Sequence, residues 1–190
     1  ASVHVHHGLS PRADAWAEHV AQWCAAAGVP CRVLRVTVDR ARPSLEAAAR
    51  DARHAALAGE LQPGDALLLA HHADDQAETL LLRLLRGSGL AGLGAMRPVR
   101  ALPVPADTFL LRPLLGVTRA RLEAEATRRG LAWVEDESNA DRAFDRNFLR
   151  HAILPSLRER WPAATATLAD TARRLADADT LLNEYLDADL

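Results

Sequence analysis

There is no lysine in these 190 residues; all 23 basic side chains are arginine. Every basic contact therefore falls to a planar guanidinium fork, which suits phosphate and carboxylate better than a point ammonium does. Against so many alanines the absence reads as compositional bias. Cysteine is scarce too. Cys24 and Cys31 are too few for a disulfide framework and lack C-x-x-C spacing, so they read as ordinary thiols of a reducing cytoplasm. No apolar run approaches a membrane span, and the opening ASVHVHHGLS carries no signal-peptide pattern. A net charge of −2 provides no overall basic field to attract nucleic acid. There are no internal repeats.

What is present is an alternation of strands and helices. At 49% hydrophobic the chain can bury a proper core. SVHVHHG reads as a strand; Ser10-Pro11 then caps a helix carrying Trp16, Val20, Trp23 and Ala27 on one face and ending at Gly28. CRVLRVTV (31–38) is the next strand, Ser44 caps a second helix ending near Gly59, and DALLLA (65–70) is a third strand. A third helix follows and stops at Gly87. This order predicts an α/β fold, a parallel sheet flanked by helices. Residues 87–107, rich in Gly and Pro, read as a long loop or short hairpin, TFLLRPLL as a further strand, and 118–130 as a helix. From 136 onward only helices are expected, around 142–160 and from about 163. The division is a 1–135 α/β domain and a 136–190 helical extension. In the last helix Leu168, Leu175 and Leu182, with Thr171, Ala178 and Tyr185 between, form a seam that calls for a partner helix. That partner lies in the same chain or in a second copy, which would make a homodimer.

The densest chemistry is AHHADDQAET (70–79), between a buried strand and a buried helix. That is the edge of an α/β sheet where ligands bind. Adjacent histidines on a strand point to opposite faces, so His71 and His72 do not simply chelate one ion. Asp74 and Asp75 suit the start of a helix, where carboxylates cap free N–H groups. Capping leaves His72, Asp75, Gln76 and Glu78 together unexplained. Asp75, Glu78 and Thr79 lie three and four apart on one face. A carboxylate pair there can orient magnesium bound to phosphates, with Asp75 the candidate metal ligand.

VHVHHGL, HHADDQAETLLLRLLRGSGLAGLGAM, RPLL and DESNADRAFDRNFLRHAILPSL together resemble the tRNA(Ile)-lysidine synthetases of the N-type ATP pyrophosphatase (PP-loop) group. The resemblance implies an adenine nucleotide alpha hydrolase-like sheet, with ATP and magnesium as cofactors. The partners it implies are an isoleucine tRNA with a CAU anticodon and free L-lysine. The ring carbonyl oxygen of the wobble cytidine is adenylated, pyrophosphate leaves, and the lysine side-chain amine displaces AMP. It also implies a cytoplasmic enzyme with His72, Asp75 and Glu78 as catalytic residues. One departure stands out: no S-G-G-x-D-S loop occurs in the 190 residues. Without that backbone nest for pyrophosphate, the chain as given is expected to bind ATP poorly and not to catalyse.

The remaining candidates carry two readings each. His6 and His7 end a strand, solvated or, by the resemblance, near the nucleotide. Glu46, Arg50 and Arg53 share a helical face, as surface ion pairs or, by the resemblance, toward tRNA or lysine. Gly87, Gly89 and Gly92 let backbone approach a ligand closely. Arg146, Asn147 and Arg150 form a stripe that either pairs with Asp141, Asp145 and Glu159 or clamps tRNA or ATP phosphate. Arg112 joins Arg119, Arg121, Arg128, Arg129 and Arg142 in a basic rim for substrate. Two alternatives remain: a tRNA-thiolating PP-loop enzyme, whose paired cysteines Cys24 and Cys31 do not supply, and a non-catalytic RNA-binding module.

Overall fold

The computed structural model describes residues 1–42, 44–103 and 105–188. Position 104 of the expected 87–107 loop and the last two residues of the helical extension lie outside that range. Two compact units form: one from residues 1–65 with 102–108, the other from 66–101 with 109–190.

In the first unit β1 (Ser2–His6) and β2 (Cys31–Arg35) pair in parallel, with Ser2 opposite Cys31 and His6 opposite Arg35. Helix α1 (Ala13–Ala26) makes the crossover. It starts later than Ser10-Pro11 suggests, because the Ser10 hydroxyl accepts from the Arg12 N–H in a turn before the helix. Its buried residues are Ala13, Ala17 and Cys24, not the tryptophan stripe; Trp23 is exposed. Small side chains let the helix lie close on the strands, with Trp16 and Val20 half-buried at the edge of that face. Helix α2 (Leu45–Gly59) is capped as expected, the Ser44 hydroxyl accepting from Ala47 N–H at 3.2 Å.

In the second unit β3 (Ala66–Leu68) pairs in parallel with β5 (Phe109–Leu111), and β4 (Val99–Ala101) pairs antiparallel with β5. The 87–107 stretch contains a short helix α4 (Leu90–Leu93) and one arm of a hairpin. Helix α3 (Ala73–Leu85) follows β3, and Gly87, at φ +70°, turns the chain after it. Then come α5 (Arg119–Arg128), a 3-10 turn (Glu137–Ala140) and one continuous helical rod. The rod consists of α6 (Asp145–Phe148), a π-helical turn (Leu149–Ile153) and α7 (Leu154–Arg160). The last helix, α8 (Ala164–Ala188), packs on α3 and α4.

The partner helix that the leucine pattern calls for is thus in the same chain. Leu168 and Leu175 border a core of Leu80, Ala95 and Ala172, whereas Leu182 and Tyr185 stay exposed. The buried stripe is Thr165, Ala169, Ala172 and Ala176. Its smallness is used: a Cβ on Gly94 would meet the Cα and Cβ of Ala176 at 3.0 Å. Ala176→Leu should therefore lower unfolding free energy by about 1–3 kcal/mol through overpacking. Leu182→Ala should change it by less than about 0.5 kcal/mol. Urea unfolding of both variants decides this; equal losses would place the contact surface elsewhere on α8.

Candidate active site at the start of helix α3

The polar run after β3 divides its labour residue by residue. Asp75 reaches back so that its Oδ2 accepts from His72 N–H at 2.9 Å, the return half of a capping box. Asp74 caps a different helix: its Oδ2 accepts from the N–H of Arg119, the first residue of α5, at 2.7 Å. Its other oxygen accepts from Arg158 at 2.8 Å. Gln76 bonds both backbone groups of Met96 at 2.8 Å. Three of the motif's polar side chains, Asp74, Asp75 and Gln76, thus make scaffold contacts.

Glu78 is different. Its side chain is fully buried, 0% exposed. Arg150 meets it as a fork, Nε to Oε1 at 2.7 Å and a terminal N–H to Oε2 at 2.9 Å. The same guanidinium lies 3.4 Å from Asp75 Oδ1. Arg146 donates to the Thr79 hydroxyl at 2.7 Å, and its Nε lies 3.2 Å from Glu78 Oε2. That Nε is buried and, at this angle, makes no hydrogen bond. The stripe's arginines therefore turn inward onto α3. Of the two readings of the stripe, pairing with Asp141, Asp145 and Glu159 gives way to contacts with Glu78, Asp75 and Thr79. Asp145 instead meets Arg86 at 2.8 Å.

The π turn sets this geometry. Residues eight apart on a regular α-helix stand about 80° out of phase, and residues seven apart only about 20°. A π turn takes up one residue. Arg150 and Arg158, eight apart, accordingly both reach α3, at Glu78 and at Asp74.

Other candidates are placed as follows. Asn147 is buried and spends its amide donors on the carbonyls of Ser138 and Asp141, at 2.9 and 2.8 Å. Arg112, expected on a basic rim, is 7% exposed and donates to His71 Nδ1 and the Arg97 carbonyl. Arg128 and Arg129 bond Glu125 and hold its carboxyl down at about 2. Gly89 begins α4 at an ordinary φ of −74°, and nothing lies within 4 Å of a Cβ on Gly87 or Gly89. The glycine that permits a close approach is Gly94.

In the first unit His6 is buried, its Nε2 3.2 Å from Asp14 Oδ1 and 3.4 Å from an Arg35 nitrogen. His7 has a buried Nδ1 without a hydrogen-bond partner. Burial first, then Arg53, His4 and His6, push its pKa below the usual imidazole value, which favours the neutral ring. Glu46 and Arg50 are exposed on α2, and no ion pair joins them among the described residues. No group of three or more His, Cys, Asp or Glu among those residues could hold a metal ion, and no described helix is long and apolar enough to cross a membrane.

Sequence reasoning passed over Arg83, Arg97 and Arg158. Arg83 bonds the carbonyls of Gly92 and Ala95, and Arg97 grips α8 through Asp179 at 2.6 Å. The partners of Arg97 and Arg158, 79 to 84 residues away, left no signal in any local window.

The two clamp arginines should separate in stability. Arg150→Ala strands a buried carboxylate and should cost about 3–5 kcal/mol. Arg146→Ala leaves the Glu78 fork intact and should cost about 1–2 kcal/mol. Denaturant unfolding of the two variants reads the difference, and equal costs would remove the distinction.

The PP-loop domain family model matches residues 1–157. The chain is 56% identical over 190 residues to a tRNA(Ile)-lysidine synthase of Alkalilimnicola ehrlichii, covering 100% of this chain and 42% of the relative. It is 52% identical over 189 residues to that of Pseudomonas fluorescens and 47% over 190 to that of Vibrio atlanticus, covering 42% and 41% of those proteins and all of this one. The chain thus spans about two fifths of these relatives' length. Among solved structures, U34-tRNA thiolase NcsA from Methanococcus maripaludis, described with its [4Fe-4S] cluster, shares the fold at a TM-score of 0.70 and 14% identity. That likeness covers 92% of this chain and 60% of the thiolase. With its family model covering residues 1–157 and its parallel strands flanked by helices, this chain belongs to the PP-loop domain family.

Proposed function

We propose that this chain supplies the ATP-dependent domain of a tRNA(Ile)-lysidine synthase, which joins free L-lysine to the wobble cytidine of an isoleucine tRNA with a CAU anticodon. The observation that carries the reading is the union of two distant sequence blocks, HHADDQAET and DRNFLR, in one buried cluster around Glu78. Identities of 47–56% to synthases over the whole chain support it.

When bound, ATP supplies the adenylyl group that makes the cytosine ring oxygen a leaving group. The residues present fit part of a nucleotide site. In the first unit, His7 offers a buried ring nitrogen that makes no hydrogen bond. Magnesium fits less well. Asp75 is engaged by His72 N–H on one oxygen and approached by Arg150 at the other, so an ion there would depend on phosphate and water for its shell. No step is assigned to it.

The site residues then act as follows. Glu78 and Arg150 form a fixed pair that sets α3 against α6 and α7. Arg146, whose main acceptor is a neutral hydroxyl, is the guanidinium offered to an anionic ligand. His72 lies 3.8 Å from Asp74 and 3.5 Å from Asp75, with its Nδ1 buried and unpartnered, and so takes a ligand's hydrogen bond. The thiolase reading is less favoured, because Cys24 and Cys31 are the chain's only cysteines.

The full-length protein should turn over ATP to AMP and pyrophosphate repeatedly only when the CAU-anticodon tRNA and lysine are both supplied. Omitting each in turn measures this, and equal turnover with another amino acid or a sulfur donor would defeat the assignment. If Arg146 grips tRNA backbone, Arg146→Ala should weaken tRNA binding and reduce the salt slope by about one counterion, with ATP affinity unchanged. A fall in ATP affinity alone would reassign it to the nucleotide.

A further inference from the structure

Cys24 and Cys31 have no C-x-x-C spacing, yet the fold brings them together. Helix α1 and strand β2 run in opposite directions. Arg35, at the end of β2, reaches Asp14 near the start of α1 at 2.7 Å. Cys31 opens β2 and shares a strand face with Arg35, about 13 Å back along the strand. Cys24 lies beyond Asp14 on α1, about 15 Å further along the helix axis. The two steps match, so Cys24 comes to rest over Cys31.

The turn between them fixes this placement. Gly28, at φ +67°, closes α1 in a Schellman motif. Val29 N–H donates to the Cys24 carbonyl at 2.8 Å, and Gly28 N–H to that of Ala25 at 3.1 Å. The Pro30 carbonyl then accepts from Ser2 N–H at 2.8 Å, which anchors the start of β2 on β1. Cys24 is 4% exposed, and Cys31 is half-buried. Burial first, and then the adjoining Cys24 thiol, push the Cys31 thiol above its usual value. At neutral pH Cys31 is therefore a thiol, slow to react with passing electrophiles.

We propose that Cys24 and Cys31 are a modification site, a dithiol that small disulfides of the glutathione class oxidise to an intramolecular disulfide. Cys31, the more accessible of the two, attacks as thiolate and releases one small thiol, leaving a mixed disulfide. Cys24, as thiolate, displaces the second small thiol and closes the Cys24–Cys31 bond. The two cysteine protons end on the two released thiols, and two electrons pass from protein to oxidant. The bond fastens the last turn of α1 to the first residue of β2. That is the opposite end of the strand from the edge where α/β sheets take ligands. It also fastens the crossover helix that carries Asp14, the partner of Arg35 and His6.

The test treats folded full-length protein with glutathione disulfide, then alkylates it and digests it with trypsin. Trypsin cuts after Arg12 and Arg32, so residues 13–32 carry both cysteines on one peptide. Mass spectrometry should find that peptide lighter by two hydrogens and unalkylated, with both thiols restored by reductant. Cys24→Ser should instead hold a glutathione adduct on Cys31, because nothing remains to displace it. Cys24→Ala repeats the measurement if the serine variant fails to fold. Cys31→Ser should leave the buried Cys24 unmodified. A wild-type peptide that keeps the adduct, or that is alkylated at both cysteines after oxidant treatment, overturns the proposal. So does an adduct on Cys24 in Cys31→Ser. The readout needs neither ATP nor tRNA, so it stands apart from the reaction assigned above.

Discussion

The Glu78 carboxylate has no contact with solvent, and a charge so placed must be matched by charge. Arg150 supplies the match from 72 positions further along the chain. Helix α3 therefore cannot settle as built until the α6–α7 rod lies across it. Asp74 and Arg158 repeat the device beside it, and Asp74 also caps α5. Three helical segments are thus located by two carboxylates one turn apart. In a chain without lysine, only arginine can make these contacts, and a fork fixes direction as well as distance.

The other side of α3 is held by shape. Leu80, Ala95 and Ala172 form the apolar contact, and Gly94 meets Ala176 at a separation that admits nothing larger. Arg97 ties this apolar side to the polar one, since its side chain binds α8 while its carbonyl receives Arg112. A disturbance of α8 would be felt at His71 through two guanidinium groups and one carbonyl.

Much of this was legible in the sequence, and the reasons differ by element. The strand and helix order followed from local periodicity, as did the Ser44 cap and the strand-to-helix position of the HHADD run. The tryptophan face of α1 and the leucine seam of α8 misled for one common reason. Both helices bury alanines, and hydrophobic pattern weighs large residues over small ones. Arg146 and Arg150 find partners 67 to 75 residues away, which a local reading that weighs only nearby acids does not supply. Asn147 and Arg112 looked like ligand contacts by residue type, yet their donors are used by backbone carbonyls and by His71. Two of the motifs behind the family resemblance, HHADDQAET and DRNFLR, are brought together by these long-range contacts.

The π turn at Leu149–Ile153 has a consequence for how such a rod varies. A helix carrying one surplus residue in a single turn stores a phase correction that length alone does not reveal. Two related chains can present the same pair of guanidinium groups with spacings of eight and of seven, the first through a π turn and the second through plain α-helix. Residue spacing along this rod is then a poor measure of kinship. In this chain the direction of the two forks, rather than the count of residues separating them, is what lets both reach α3.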